Sequence, residues 1–282
     1  MTLISVVVCT YNRSRSLREM LEHLTVQQMD GFDYEVVVVD NNSTDDTKTA
    51  VTSCEAAFGG RLRYVFEPRQ GKPYALNTGV EVARGDVVAF TDDDVRPTPD
   101  WLRALRRGFQ ERGADCVFGK ILPIWKAPRP AWLSGAHFMS RLALLDYGDE
   151  PFLVRHEDQQ FYGASFAIRR AVLKAMGGFN PALGHRGAEL GGGEDTELFL
   201  KLLEAKRVVA YEPRAVVHHV VPVDRLRKRF FRRREFDQGR TWARTGRGAG
   251  RWRVAGIPLR TVRACALTLR DYVASRLPGR RA

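Results

Sequence analysis

The chain has 282 residues, 44% of them hydrophobic, which suits one large globular domain or one domain with an appendage. Its net charge of +12 is uneven: from Arg225 onward 18 Lys and Arg accompany three acids, whereas the preceding 224 residues carry 27 basic and 30 acidic side chains. No apolar stretch is long enough to span a bilayer, and four scattered cysteines without a CxxC pair argue against a zinc site and fit a reducing compartment.

Residues 3–9 form an apolar run of strand length. The run lacks a basic leader and a cleavage site, so it reads as a first strand and not as a signal peptide. Ser16 is placed to cap a helix whose Leu17, Met20, Leu21 and Leu24 share one face. Residues 34–39 read as a second buried strand. Ser43 and Asp46 resemble a capping box for a helix running to about Glu55. Residues 62–66 make a third strand, and Pro73 opens a helix to Ala83. Residues 86–90 make a fourth strand, which runs into Asp92, Asp93 and Asp94. Pro99 opens a further helix, and a fifth strand begins at Cys116. This alternation predicts an α/β fold with a mostly parallel sheet and helices on both faces.

The middle of the chain is less regular. Prolines between Pro123 and Pro130, with Trp125 and Trp132 nearby, predict an irregular segment near a substrate. Residues 177–193 are glycine-rich and lead into a helix from Asp195 to about Ala205. Residues 224–243 read as an arginine-dense helix with Phe230, Phe231 and Phe236 interleaved. After a glycine break, Leu259, Val262, Ala266, Leu269, Val273 and Leu277 form a second helical stripe. A basic amphipathic extension of this kind points to an anionic membrane surface. Nucleic acid is disfavoured, because the body is not basic and no recognition motif accompanies the arginines.

Several stretches carry chemistry. Three adjacent carboxylates at a strand end repel one another, and a divalent metal is a common remedy. Thr10, Tyr11, Asn12 and Arg13 end the first strand, in the crevice where open α/β sheets bind ligands. Asp40 ends the second strand, where it can accept a hydrogen bond from a nucleoside or shape a local turn. Lys72 precedes a helix and can face an anion. Glu194 and Asp195 sit at a helix start behind three glycines, as helix caps or as a movable carboxylate pair. His218 and His219 follow an apolar strand, so at most one faces the site.

In order along the chain, the segments Val6-Val7-Val8-Cys9-Thr10-Tyr11-Asn12-Arg13, Val39-Asp40-Asn41-Asn42-Ser43, Gly71-Lys72-Pro73, Thr91-Asp92-Asp93-Asp94, Gly163-Ala164-Ser165-Phe166, Gly177-Gly178-Phe179 and Gly193-Glu194-Asp195 resemble family 2 glycosyltransferases. The likeness spans roughly residues 3 to 221. It implies a GT-A fold, Rossmann-like, in which residues 1–223 form the transferase domain. Residues 1–118 would serve the nucleotide sugar and 119–223 the acceptor and catalysis, with 224–282 a basic helical extension. It implies a nucleoside diphosphate sugar donor, a Mg²⁺ or Mn²⁺ cofactor, an inverting outcome and a saccharide or lipid-linked acceptor. By the same resemblance Asp94 and His219 hold the metal, with His219 favoured over His218. Thr10, Tyr11, Arg13, Asp40, Lys72, Asp92 and Asp93 contact the nucleotide sugar, Asp195 is the catalytic base and Glu194 lies on the acceptor side. The segment 184–193 would serve as a lid. Arg225 and the Arg232–Arg234 run are candidates to reach the donor pyrophosphate. The expected location is cytoplasmic, peripheral at the inner face of the plasma membrane. Competing readings are a sugar nucleotidyltransferase, whose arginine-containing glycine-rich loop is missing here, and a non-catalytic nucleotide-sugar-binding protein.

Overall fold

The computed structural model describes residues 3–185 and 191–244, with two further short strands at Arg253–Val254 and Ile257–Pro258. The stripe from Leu259 to Leu277 and residues 186–190 of the expected lid lie outside the described residues.

The chain begins with β1 (Leu3–Thr10), α1 (Ser14–Thr25), β2 (Asp33–Asp40), α2 (Thr47–Thr52), α3 (Glu55–Phe58), β3 (Leu62–Phe66), α4 (Lys72–Val82) and β4 (Val87–Asp92). These four strands lie side by side and parallel, in the order β3-β2-β1-β4. Val6 to Val8 and Val36 to Val39 are wholly buried on both faces, as continuous valine runs require in a sheet covered by helices. Each such side chain contributes roughly 1.5–3 kcal/mol. Helix α1 buries Leu17, Met20, Leu21 and Leu24, the face read from their spacing.

The rest of the chain adds β5 (Val95–Pro97), α5 (Trp101–Arg112), β6 (Cys116–Trp125), α6 (Ala136–Arg141), β7 (Phe152–Leu153), β8 (Phe166–Arg169), α7 (Arg170–Ala175), α8 (Glu194–Glu204), β9 (Val209–Val221), a 3₁₀ turn (Val223–Leu226) and α9 (Lys228–Arg244). Strand β8 inserts antiparallel between β4 and β6, and β9 and β5 extend the sheet to the order β3-β2-β1-β4-β8-β6-β9-β5. The register of β6 on β9 shifts between Phe118 and Lys120. Gly119 sits at that shift because a Cβ there would meet the Ala215 carbonyl oxygen at 1.8 Å.

Three local expectations change. Ser16 is not the α1 cap: the helix starts at Ser14, and the Ser16 hydroxyl instead donates to the Asp93 carbonyl at 2.9 Å. Ser43 does not start α2. Its hydroxyl accepts from the Asn12 amide at 2.9 Å while Asn12 Oδ1 accepts from the Thr44 amide, so the two loops clamp each other. Asn12 and Asn42 adopt φ of 53° and 66°, a conformation asparagine tolerates better than most residues. The segment after Pro123 is not irregular at its start, because β6 runs on to Trp125. Strand β8 covers β6 only as far as Phe118, so the other edge of β6 is largely open and admits a proline. Trp132 packs edge-on against Phe138 and Phe231, which docks α9 onto the body.

Candidate active site

Strand register places the site. Thr10 is level with Asp40, and Cys9 is level with Asp92, so three parallel strands end at one edge. Asp92 is the last residue of β4; Asp93 and Asp94 make the turn into β5. Strand β5 then pairs antiparallel with β9, setting Val95 opposite His219, and the Val220 amide donates to the Asp94 carbonyl at 2.9 Å. That pairing brings Asp94 and His219 together. All three aspartates line a cavity of about 290 Å³, together with Thr10, Tyr11, Arg13, Lys72 and His219.

Each carboxylate has a different environment. Asp92 pairs with the Lys72 ammonium at 2.5 Å. Asp93 accepts from the Thr10 hydroxyl at 2.7 Å and from Arg13 at 3.0 Å. Burial outweighs these partners and raises its pKa to about 6. Asp94 Oδ2 accepts from Arg13 at 2.9 Å and Arg225 at 3.0 Å, and Oδ1 lies 3.4 Å from His219 Nε2. Burial alone would raise Asp94; the facing His219, Arg225 and Arg13 outweigh it and hold the carboxyl well below the usual range. Asp93 is thus tied to β1 through Thr10, while Asp92 and Asp94 are held by the long side chains of Lys72, Arg13 and Arg225.

His219 Nδ1 lies 2.8 Å from the Leu142 carbonyl, which can only accept, so Nδ1 carries the proton. In the neutral ring Nε2 then offers a lone pair, which Arg225 Nη1 meets at 3.0 Å. His218, its neighbour in the strand, is level with Arg96 and lies on the opposite face. A histidine whose far nitrogen donates to a backbone carbonyl has the form of a metal ligand. With a carboxylate oxygen beside it, this donor pair fits Mg²⁺ or Mn²⁺. Among the described residues no cluster of three or more His, Cys, Asp and Glu side chains forms a complete protein cage.

The α8 start stands behind Lys72. Gly193 precedes the helix with φ of 112°, where a side chain would be strained. Asp195 Oδ2 accepts from the Gly163 amide at 3.0 Å, and Oδ1 from the Thr196 amide at 2.7 Å. Glu194 is buried, and its Oε2 has no hydrogen-bond partner among the described residues. Burial and neighbouring Asp195 raise its pKa to about 7 against the pull of Lys72. Lys72 is itself held charged: burial opposes this, but Asp92 and Glu194 outweigh it and raise its pKa. Glu194 and Asp195 are adjacent to the cavity wall and do not form it.

Asp40 is buried, and both its oxygens are engaged, by the Ser43 amide and the Tyr64 hydroxyl, each at 2.8 Å. Its neighbour Asn41 lines the cavity, a position that sequence reasoning passed over. It also passed over Arg141, which lines the same cavity with Arg225 and Arg234 as a basic part of its wall. Burial lowers the Arg234 pKa, and nearby Arg225 and Arg141 lower it further. Arg141 gives no signal of its own, because it lies in an unremarkable short helix and reaches the site only through the fold.

Glu194 makes a pH prediction. Its folded pKa, about 7, exceeds the ordinary value of 4.5, so the folded state keeps a proton that the unfolded chain has released. The penalty appears as pH rises from 4.5 and is complete above 7. Glu194→Gln should therefore stabilise the protein at pH 8 by roughly 1–3 kcal/mol and have far less effect at pH 4.5. Urea unfolding at both pH values reads this; an equal effect at both would refute the assignment.

A profile of the family described as Glycosyl transferase family 2 matches residues 5–177, more than half of the chain. The chain is 28% identical over 243 residues to the succinoglycan biosynthesis protein ExoM of Rhizobium meliloti, covering 86% of this chain and 74% of that one. It is 28% identical over 241 residues to the glucosyl-dolichyl phosphate glucuronosyltransferase of Haloferax volcanii, covering 83% and 72%. Its fold matches the mannosyltransferase PcManGT of Pyrobaculum calidifontis, solved with GDP-Man and Mn²⁺, at a TM-score of 0.59 and 22% identity over 98% of this chain and 81% of that one. Other solved enzymes of this GT-A fold are longer, and the chain spans 45% of one and 60% of another. The chain is a glycosyltransferase and belongs to glycosyl transferase family 2.

Proposed function

We propose that this enzyme moves a sugar from a nucleoside diphosphate sugar to a hydroxyl group, with inversion at the anomeric carbon. The acceptor is a growing saccharide or a lipid-linked one, in polysaccharide or glycolipid synthesis. One observation carries the reading: Asp92 and Asp94 face a cavity ringed by Arg13, Lys72, Arg141, Arg225 and Arg234, at the carboxyl edge of parallel strands. That mixture suits a diphosphate bound together with a cation, since carboxylates alone would repel it. The named relatives from Rhizobium and Haloferax support the acceptor class.

Thr10, Tyr11 and Arg13 hold the nucleoside side, with Asp40 and Asp93 shaping the loops beneath it. Lys72 and Asp92 flank the diphosphate. Asp94 and His219 would hold Mg²⁺ or Mn²⁺, which when bound would offset charge on the nucleoside diphosphate leaving group without a proton. Asp195 takes the proton of the acceptor hydroxyl as the new C–O bond forms at the anomeric carbon and the bond to the diphosphate oxygen breaks. Glu194 lies on the acceptor side of this base. Residues 1–118 serve the donor, 119–223 the acceptor and catalysis, and 224–282 form a basic extension.

We place the enzyme at the cytoplasmic face of a membrane. No described helix is long and apolar enough to cross one. Arg227, Lys228, Arg229 and Arg232 are exposed on α9 and its approach, and Phe236 is 67% exposed beyond them. Each such cation adds roughly 1 kcal/mol near an anionic leaflet.

Two measurements test this. With UDP- and GDP-sugars and a lipid-extract acceptor, the wild type should release nucleoside diphosphate. Asp195→Asn should lose about 10²–10⁴-fold in kcat while still binding donor; unaltered turnover would remove Asp195 from its role, and release of pyrophosphate would indicate a nucleotidyltransferase. The protein should also sediment with phosphatidylglycerol vesicles at low salt and not with phosphatidylcholine vesicles. Equal behaviour with both would contradict the membrane assignment.

A further inference from the structure

The two groups best suited to hold the cation are both bonded to a single side chain. Arg225 Nη2 donates to Asp94 Oδ2 at 3.0 Å, and Arg225 Nη1 meets His219 Nε2 at 3.0 Å. One planar guanidinium therefore bridges the carboxylate and the imidazole, a geometry for which its fixed fork is suited. In neutral His219 the bond to Nε2 uses the one lone pair the ring has to offer, because Nδ1 is committed to the Leu142 carbonyl. A cation coordinated at Nε2 and the Arg225 contact to Nε2 are mutually exclusive.

Arg225 is also poorly placed to remain there once another anion arrives. It sits on the wall that Arg141 and Arg234 share, and its charge, after burial, contributes to lowering the Arg234 pKa. Asp94 pairs with Arg225, and Glu235 with Arg141, against this crowding of like charge. A ligand diphosphate would bring a stronger anion to the same wall.

We propose that Arg225 is an internal stand-in for the divalent cation: it occupies Asp94 and His219 in the unliganded enzyme and yields them when donor and metal bind. This rests on the reading of Asp94 and His219 as metal donors. Metal alone must displace Arg225 from both groups at once. With a nucleoside diphosphate present, the guanidinium gains another anionic partner, so the displacement costs less. Metal and nucleotide then bind with positive coupling, each raising the affinity of the other by the same factor. Arg225 acts here as a positioning residue, setting the order of loading and keeping the buried carboxylate compensated until then. Leaving such a carboxylate uncompensated is costly.

The test is Mn²⁺ binding, read from the electron paramagnetic resonance signal of the free ion, with and without UDP or GDP. In the wild type, Mn²⁺ alone should bind weakly, and nucleotide should tighten it. Arg225→Ala should bind Mn²⁺ alone about tenfold or more tightly than the wild type, on the scale of a lost charge-assisted contact, and should show less tightening by nucleotide. Arg225→Gln, which keeps the bulk, serves if the alanine variant unfolds. Arg234→Ala removes the same charge from the same wall without touching Asp94 or His219, so its effect should be several-fold smaller.

Equal gains in Arg225→Ala and Arg234→Ala would overturn the stand-in and leave only bulk electrostatics. Unchanged or weaker Mn²⁺ binding in both Arg225 variants would overturn it too. If the wild type binds Mn²⁺ with nucleotide and the Arg225 variants match it throughout, the stand-in alone fails. If no form binds Mn²⁺ under any condition, the metal reading of Asp94 and His219 fails and this inference falls with it.

Discussion

Three carboxylates on consecutive residues at the end of β4 must be compensated, and much of the architecture around them does this. Two unit charges about 4 Å apart repel by about 4 kcal/mol in the effective dielectric near a protein surface. The chain meets that repulsion with cations from three separate places: Lys72 at the start of α4 takes Asp92, Arg13 after β1 takes Asp93 and Asp94, and Arg225 after β9 takes Asp94. None of these cations neighbours the triplet in sequence. The compensation exists only when the parallel half of the sheet and the β5–β9 pairing have both formed. A site built this way couples the binding of charge to the integrity of the fold.

The same arrangement divides labour among the aspartates. Asp93 is tied to Thr10 and Arg13 and behaves as part of the wall. Asp92 and Asp94 are paired with long side chains whose ends can move without disturbing the backbone. On the proposed function, a bound diphosphate would exchange partners with Lys72, Arg13 and Arg225. Across the cavity wall, Asp195 is oriented by the Gly163 amide and backed by Glu194, whose raised pKa limits the negative charge gathered at the start of α8 near neutral pH. The aspartate triplet and the acids at the α8 start thus meet at Lys72, which touches Asp92 and is held charged by both sets.

Much of this was legible in the sequence. The valine runs and the one-sided α1 pattern follow from burial alone, and burial is what the structure shows. Asp92 to Asp94 and Asp195 stand out because clustered acids at element ends demand an explanation. Strand alternation limited the site to one of His218 and His219, and the resemblance favoured His219. Other features depend on distant parts of the chain. Strand β5 is three residues long, too short to show a period, and it exists because β9 offers an edge 120 residues later. Pro123 argued for irregular chain, yet the edge it faces is mostly unpaired. Ser16 and Ser43 looked like helix caps because cap residues and loop-clamping residues are chemically the same. The basic tail hinted at Arg225 without specifying its partners, and Arg141 carried no local signal.

Diffraction at the manganese absorption edge, on crystals grown with Mn²⁺ and UDP or GDP, tests the central claim most directly. The expected result is an anomalous peak in contact with an Asp94 carboxylate oxygen and His219 Nε2, with the Arg225 guanidinium withdrawn from both and turned to the diphosphate. A peak elsewhere, or nucleotide bound with Arg225 still bridging Asp94 and His219, would contradict it.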